Sequence, residues 1–273
     1  MVSSPSTGVQ SESDHSQPVL TVIVPVFNEV GTINTLLERV LKAPFTKEVI
    51  VVDDGSTDGT TDVLSCWESE PEIKTLLHPE NRGKGAAIRT ALKVARGRFV
   101  IVQDADLEYD PDDYPRLVEP LLAGEADIVY GSRRSGAISG GPEWMNPFYH
   151  GVTSLNLLVR ILYGVQLSDE ATCYKAFPTG TLKSMQLTCE RFEFCPEVTA
   201  KACCLKLRIL EVGIHYHRRT SAEGKKIGLR DWFEAVATLW KLRNWKPPTD
   251  DTGGKLTADH DRVPETTAQL PGR

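Results

Sequence analysis

Asp104 and Asp106 flank a single alanine where the apolar run Phe99-Val100-Ile101-Val102-Gln103 ends. In extended chain, residues i and i+2 project to the same side, so the two carboxylates face a common point. Like charges held there repel unless a cation lies between them. A hard divalent ion, Mg²⁺ or Mn²⁺, meets that need, because it takes one or two carboxylates and fills its other positions with water and substrate phosphates. Alone, the triplet reads equally as a solvated acidic turn.

Three further polar segments follow apolar runs: Pro25-Val26-Phe27-Asn28-Glu29, Asp53-Asp54-Gly55-Ser56-Thr57-Asp58-Gly59-Thr60, and Asn81-Arg82-Gly83-Lys84-Gly85-Ala86-Ala87. Each also has a plain structural use. Pro25 ends a strand, Asn28 caps a helix, Asp53–Thr60 is rich in turn residues, and Gly83–Gly85 suits a tight helix entry. Together with the triplet, they place acids where a base and ribose offer donors, and a metal pair where a diphosphate would lie.

The elements that must position these segments alternate. Strands are expected at Val19–Val26, Glu48–Val52, Ile73–Leu77, Arg98–Gln103 and Asp127–Tyr130, with helices at Thr32–Leu41, Thr60–Glu68, Gly85–Ala95 and Pro111–Leu122. The strands are short and almost continuously apolar, as when helices cover both faces of a parallel sheet. The expected class is α/β, a doubly wound, mostly parallel sheet in a single domain that binds ligands at the strands' carboxyl ends. Beyond Gly131 lie a long loop, a helix at Phe148–Tyr163, a strand at Tyr174–Phe177, helices near Thr179–Met185 and Pro196–Leu205, a strand at Arg208–Ile214 and a last helix at Leu229–Arg243. Residues 1–17 and 246–273 are polar and poor in large apolar residues, so a disordered arm and tail are expected around a domain spanning 18–245.

Of the 273 residues, 40% are hydrophobic and 25% charged, and the formal net charge is −6, which argues against a general nucleic-acid binder. The positive charge gathers late: Arg218, Arg219, Lys225, Lys226 and Arg230 lie in one stretch with a single acid, Glu223. The six cysteines have no C-x-x-C spacing, which points to buried or reduced thiols over a zinc site using His215 and His217. Without a leader or an apolar run of spanning length, a cytoplasmic chain is expected. In the last helix Trp232, Phe233, Val236 and Trp240 fall on one face, near Arg230, Lys241, Arg243 and Trp245. Such a face suits either a membrane interface or packing on the sheet.

The segments PVFNE, DDGSTDGT, NRGKGAA, QDADLEYDP, YGSRR, SDEATCYKAF, FEFCPEV and EGKKI together resemble family 2 glycosyltransferases of the GT-A fold. Within that family they resemble most the polyprenyl-phosphate sugar transferases, dolichol-phosphate mannose synthases included. The resemblance implies a nucleotide-sugar half at 18–134 and an acceptor half at 135–245. It implies nucleotide-sugar contacts from Pro25, Glu29, Asp54, Lys84 and Ala105, with Asp53 supporting its loop. Asp104 and Asp106 would hold a metal on the donor diphosphate, with Glu108 adding a carboxylate. Arg133 would face the sugar or phosphates, and Arg218, Arg219 and Lys225 would hold phosphate groups of the acceptor. The implied partners are a GDP- or UDP-sugar, a polyprenyl phosphate and a separate membrane-anchoring protein, with contact at the cytoplasmic face of a membrane. Cys173 departs from the family pattern, which often has glycine there.

The implied reaction is one inverting displacement at the anomeric carbon. A phosphate nucleophile is already ionised near neutral pH, whereas a hydroxyl acceptor needs a general base. Asp169 and Glu197 are the bases on offer for that second reading, a soluble transferase acting on a hydroxyl. A non-catalytic nucleotide-sugar-binding module is the third reading.

Overall fold

The apolar run Leu20–Val26 is buried at every residue, which requires cover on both faces of the strand it forms. In the computed structural model, which describes residues 17–135, 138–139, 147–218 and 228–248, that cover is helical on both sides. The first half comprises β1 (Leu20–Val26), α1 (Ile33–Lys42), β2 (Lys47–Asp53), α2 (Thr60–Ser65), β3 (Ile73–Leu77), α3 (Lys84–Val94), β4 (Phe99–Val102), a 3₁₀ turn at Pro111–Asp113, α4 (Tyr114–Leu122) and β5 (Ile128–Ser132). The second half adds β6 (Ile138–Ser139), α5 (Pro147–Tyr163), β7 (Lys175–Pro178), α6 (Thr179–Ser184), α7 (Phe194–Cys204), β8 (Ile209–Gly213), β9 (Tyr216–His217) and α8 (Leu229–Leu242).

Seven strands form one sheet in the order β3-β2-β1-β4-β7-β5-β8. All run parallel except β7, which is antiparallel to both β4 and β5. β6 and β9 pair separately. On one face, Ile33, Leu36, Leu37 and Val40 of α1 recur at helical spacing and are fully buried, together with Leu117, Val118 and Leu121 of α4. Each such side chain contributes about 1.5–3 kcal/mol on burial. The other face is covered by α3, whose Ala87, Ile88 and Ala91 let it lie close, and by α7 and α8.

The 3₁₀ start at Pro111, inside the helix expected from Pro111, follows from the Asp110 carboxylate accepting from Asp112 N at 3.0 Å. The direction of β7 was beyond the sequence reading, since a four-residue apolar strand carries no sign of polarity. The arm and tail expected at 1–17 and 246–273 lie, apart from Gln17 and residues 246–248, outside the described residues. Arg219 and Lys225 lie outside them too.

Candidate active site

Parallel pairing brings the polar segments together. Val26 is registered with Asp53, and Ile23 with Val102, so the loops leaving β1, β2 and β4 emerge side by side. They open into a cavity of about 1190 Å³ lined by Pro25 and Glu29, by Asp54, by Lys84, by Asp104, Ala105, Asp106 and Glu108, and by Arg133. The far wall includes Leu155 of α5 and Trp232 and Phe233 of α8. Asp53 stands behind the wall: it is 1% exposed and accepts from Ser56 N at 2.9 Å and Thr61 Oγ1 at 2.5 Å, which fixes its loop.

Asp54 ties two loops together. Its carboxylate accepts from Arg82 N and Gly83 N at 3.0 and 2.7 Å and lies 2.6 Å from His78 Nδ1. Gly83 adopts φ +96°, and a Cβ there would collide with the Glu190 carbonyl oxygen, so this turn requires glycine. The turn delivers Lys84, whose Nζ is paired with Asp104 Oδ1 and lies 2.9 Å from Cys173 Sγ. Burial alone would lower the Lys84 pKa, yet the Asp104 charge holds it well above its ordinary value.

Asp106 Oδ1 accepts from Glu108 N at 3.2 Å across Leu107, a non-glycine residue at φ 61°. Such a left-handed residue costs about 1–2 kcal/mol, strain stored between two acids of the cavity wall. Glu108 Oε2 accepts from the Tyr216 hydroxyl at 2.7 Å. No group of three or more His, Cys, Asp or Glu is arranged to hold a metal among the described residues. Glu108, whose carboxylate accepts from Tyr216, lies on the same cavity wall as Asp104 and Asp106. The Asp104–Asp106 pair still fits a Mg²⁺-type ion, which binds one or two carboxylates and takes its other ligands from water and substrate phosphates.

Arg133 leaves the end of β5 and makes a fork onto Asp169, with Nε to Oδ2 and Nη2 to Oδ1 both at 2.7 Å and its backbone N to Oδ2 at 3.0 Å. Burial would raise the Asp169 pKa, but the Arg133 guanidinium outweighs it and holds the carboxyl below its ordinary value. Glu197, the other base on offer, is equally committed. It accepts from Thr188 N, Cys189 N and Lys201 Nζ at 2.8, 2.7 and 2.5 Å, and these bonds overcome burial to lower its pKa.

Sequence reasoning passed over Glu170 and Cys195, both on the cavity wall. Glu170 is 0% exposed, and no hydrogen bond of ordinary geometry reaches either carboxylate oxygen. Burial pushes it up to about 7. Its only signal was an acid beside Asp169 in the SDEATC segment. Arg218 belongs to the described residues, whereas its partners in the expected phosphate cluster, Arg219 and Lys225, do not.

Residues 21–183 match the family described as Glycosyl transferase family 2. The chain belongs to that family. Among its relatives is an undecaprenyl-phosphate mannosyltransferase of Micrococcus luteus, 33% identical over 77% of this chain and 88% of the relative. Another is a low-salt glycan biosynthesis hexosyltransferase of Haloferax volcanii, 30% identical over 74% of this chain, of which the chain spans only 48%. The fold is that of the GT-A glycosyltransferases: glucosyl-3-phosphoglycerate synthase from Mycobacterium tuberculosis, solved with Mn²⁺, UDP and phosphoglyceric acid, superposes with a TM-score of 0.63 at 22% identity, over 83% of this chain and 79% of that one. Within this family 2 fold, the Asp104–Asp106 pair sits at the carboxyl end of β4, the end at which doubly wound sheets take their ligands.

Proposed function

We propose that this family 2 chain moves a sugar, with inversion, from a nucleoside-diphosphate sugar to a polyprenyl phosphate. The observation that carries the acceptor class is the commitment of the two bases that the sequence offered: Asp169 is locked in the Arg133 fork and Glu197 in its own hydrogen bonds. A phosphate acceptor needs neither, because its oxygen attacks already ionised. The undecaprenyl-phosphate relative supports the same acceptor.

Pro25, Glu29 and Asp54 line the part of the cavity taken by the nucleoside, and Asp104 and Asp106 hold Mg²⁺ or Mn²⁺ on its diphosphate. When bound, that ion stabilises charge on the departing diphosphate. Lys84 holds the Asp104 carboxylate in place. Arg133 uses two of its five N–H donors on Asp169, and the others serve phosphate oxygens, for which a preorganised guanidinium is suited. Asp169 thus positions Arg133, and its own proton takes no part.

The lipid chain requires access to a membrane, and α8 offers it. Trp232 turns inward, donating to Ser154 Oγ at 2.9 Å, and Ala235 and Leu239 are buried. Phe233 and Trp240 are exposed, as are Leu157 and Ile161 of the neighbouring α5. The helix face therefore divides between core packing and an apolar outer surface flanked by Arg230 and Lys241. No helix among the described residues is long and apolar enough to cross a membrane; the contact proposed is peripheral, through α8, with a separate membrane protein as anchor.

The test is transfer from radiolabelled GDP- and UDP-sugars, with Mn²⁺, to polyprenyl phosphate and to water-soluble hydroxyl acceptors. Label on the lipid phosphate is expected. Label on hydroxyl acceptors alone would replace this reading with the soluble transferase. Nucleotide-sugar binding without any turnover would favour the non-catalytic module.

A further inference from the structure

The cavity wall carries two thiols that the proposed reaction does not use. Cys173 Sγ lies 2.9 Å from Lys84 Nζ, and Cys195 Sγ donates to the Thr172 carbonyl oxygen at 3.2 Å. That carbonyl belongs to the peptide joining Thr172 to Cys173, so the Cys195 sulfur sits against the Cys173 backbone. Both thiols line the cavity, close enough that the charge state of each acts on the other.

The surroundings distinguish Cys195 from the other cysteines, Cys173 included, whose thiol is held above its ordinary value. Cys195 is the second residue of α7, at the helix end whose dipole favours thiolate. The Cys173 thiol beside it outweighs burial and, with the Lys175 and Lys84 ammoniums, brings the Cys195 thiol down to about 6. Burial instead pushes the thiols of Cys189 and Cys203 up, the latter to about 12. Cys66 is exposed on α2's far end, away from the cavity.

We propose that Cys173 and Cys195 are an oxidation site, at which a peroxide converts the pair into a disulfide that disables the cavity. The Cys195 thiolate attacks one peroxide oxygen and the O–O bond breaks. The departing oxygen takes up a proton and leaves as water, and Cys195 becomes a sulfenic acid. The Cys173 sulfur then attacks the Cys195 sulfur. The S–O bond breaks, and hydroxide leaves with the Cys173 proton as a second water. Both sulfurs are oxidised and the peroxide is reduced. The disulfide draws Cys173 away from Lys84, the partner of Asp104. Its effect on donor binding rests on the donor reading given above.

The full chain is treated with hydrogen peroxide, alkylated, digested without reduction and mapped by mass spectrometry. In parallel, Mn²⁺-dependent binding of UDP and GDP is measured by calorimetry on reduced, oxidised and dithiothreitol-treated protein. A linked Cys173–Cys195 peptide is expected, with nucleotide binding weakened about tenfold or more and restored by reductant. Binding by Cys195→Ser is expected not to respond to peroxide, whereas Cys66→Ser responds as the parent does. Both thiols recovered as alkylated monomers would overturn the proposal, as would a linked peptide with unchanged nucleotide binding. If the reduced protein binds neither nucleotide, the donor reading fails, and the peptide map alone decides whether the oxidation site exists.

Discussion

Replacing Glu170 with glutamine is expected to stabilise this protein increasingly as pH rises above about 4.5, and in full above about 7. The carboxyl is fully buried, and burial raises it from an ordinary 4.5 to about 7 in spite of the Lys175 ammonium and the Thr199 hydroxyl nearby. A folded-state pKa above the unfolded one means that the folded protein holds an extra proton between these values. Stability is therefore highest near about pH 4, falls as pH rises through the window, and reaches its floor above 7. The displacement from 4.5 to about 7 corresponds to about 3 kcal/mol. Glutamine keeps the shape and carries no titrating proton, so that slope disappears. Urea denaturation at about pH 4 and about pH 9 checks this, with parent and Glu170→Gln expected to match at the lower pH and to differ by about 3 kcal/mol at the higher. In thermal melts the high-pH gap is about 6–12 °C. A gain of equal size at both pH values, or none at about pH 9, would refute the reasoning.

Breaking the Arg133 fork works in the opposite direction. Asp169→Asn leaves a buried guanidinium unpaired and is expected to cost about 3–5 kcal/mol at neutral pH by chemical denaturation. Because Asp169 titrates below its ordinary value, this gap closes as pH falls through the folded-state pKa; a gap that persists in acid would contradict the pairing. Asp106→Asn is expected to lower turnover about 100-fold or more and to remove the Mn²⁺ dependence of nucleotide binding, measured by steady-state kinetics and calorimetry. Gly83→Ala meets both a positive φ and the Glu190 carbonyl, so a loss of at least about 1 kcal/mol with weakened nucleotide binding is expected. Phe233→Glu with Trp240→Glu is expected to abolish flotation with anionic liposomes while the melting temperature stays within about 2 °C, both side chains being exposed.

Much of the donor side was legible because its signals are local. The apolar runs ending at Val26, Asp53 and Val102 each precede their polar loop directly, and parallel register does the rest. The acceptor side was less legible because its contacts are remote in sequence. Nothing around Asp169 indicates that Arg133, 36 residues earlier, occupies it, so it read as a free base. Glu197 read the same way for the same reason. The resemblance placed Glu108 beside the metal pair, and nothing in its surroundings indicated that its carboxylate also meets Tyr216, 108 residues later. The amphipathic reading of α8 named the right residues but could not rank their exposure: Trp232 is held to Ser154, whereas Phe233, beside it on the cavity wall, is exposed.

The antiparallel course of β7 has a consequence for the order in which the molecule is made. β1 to β4 are all made before β5 and β7, so the Asp104–Asp106 turn belongs to a sheet that can assemble while the rest is still unmade. β7 must enter between β4 and β5, closing a loop of some 75 residues behind β4. At roughly 5–20 residues per second of synthesis, the acids wait several seconds for Asp169, Cys173 and Lys175 to arrive. During that interval the open edge of β4 is an unpaired template, and a chain interrupted there presents its donor loops beside an adhesive strand.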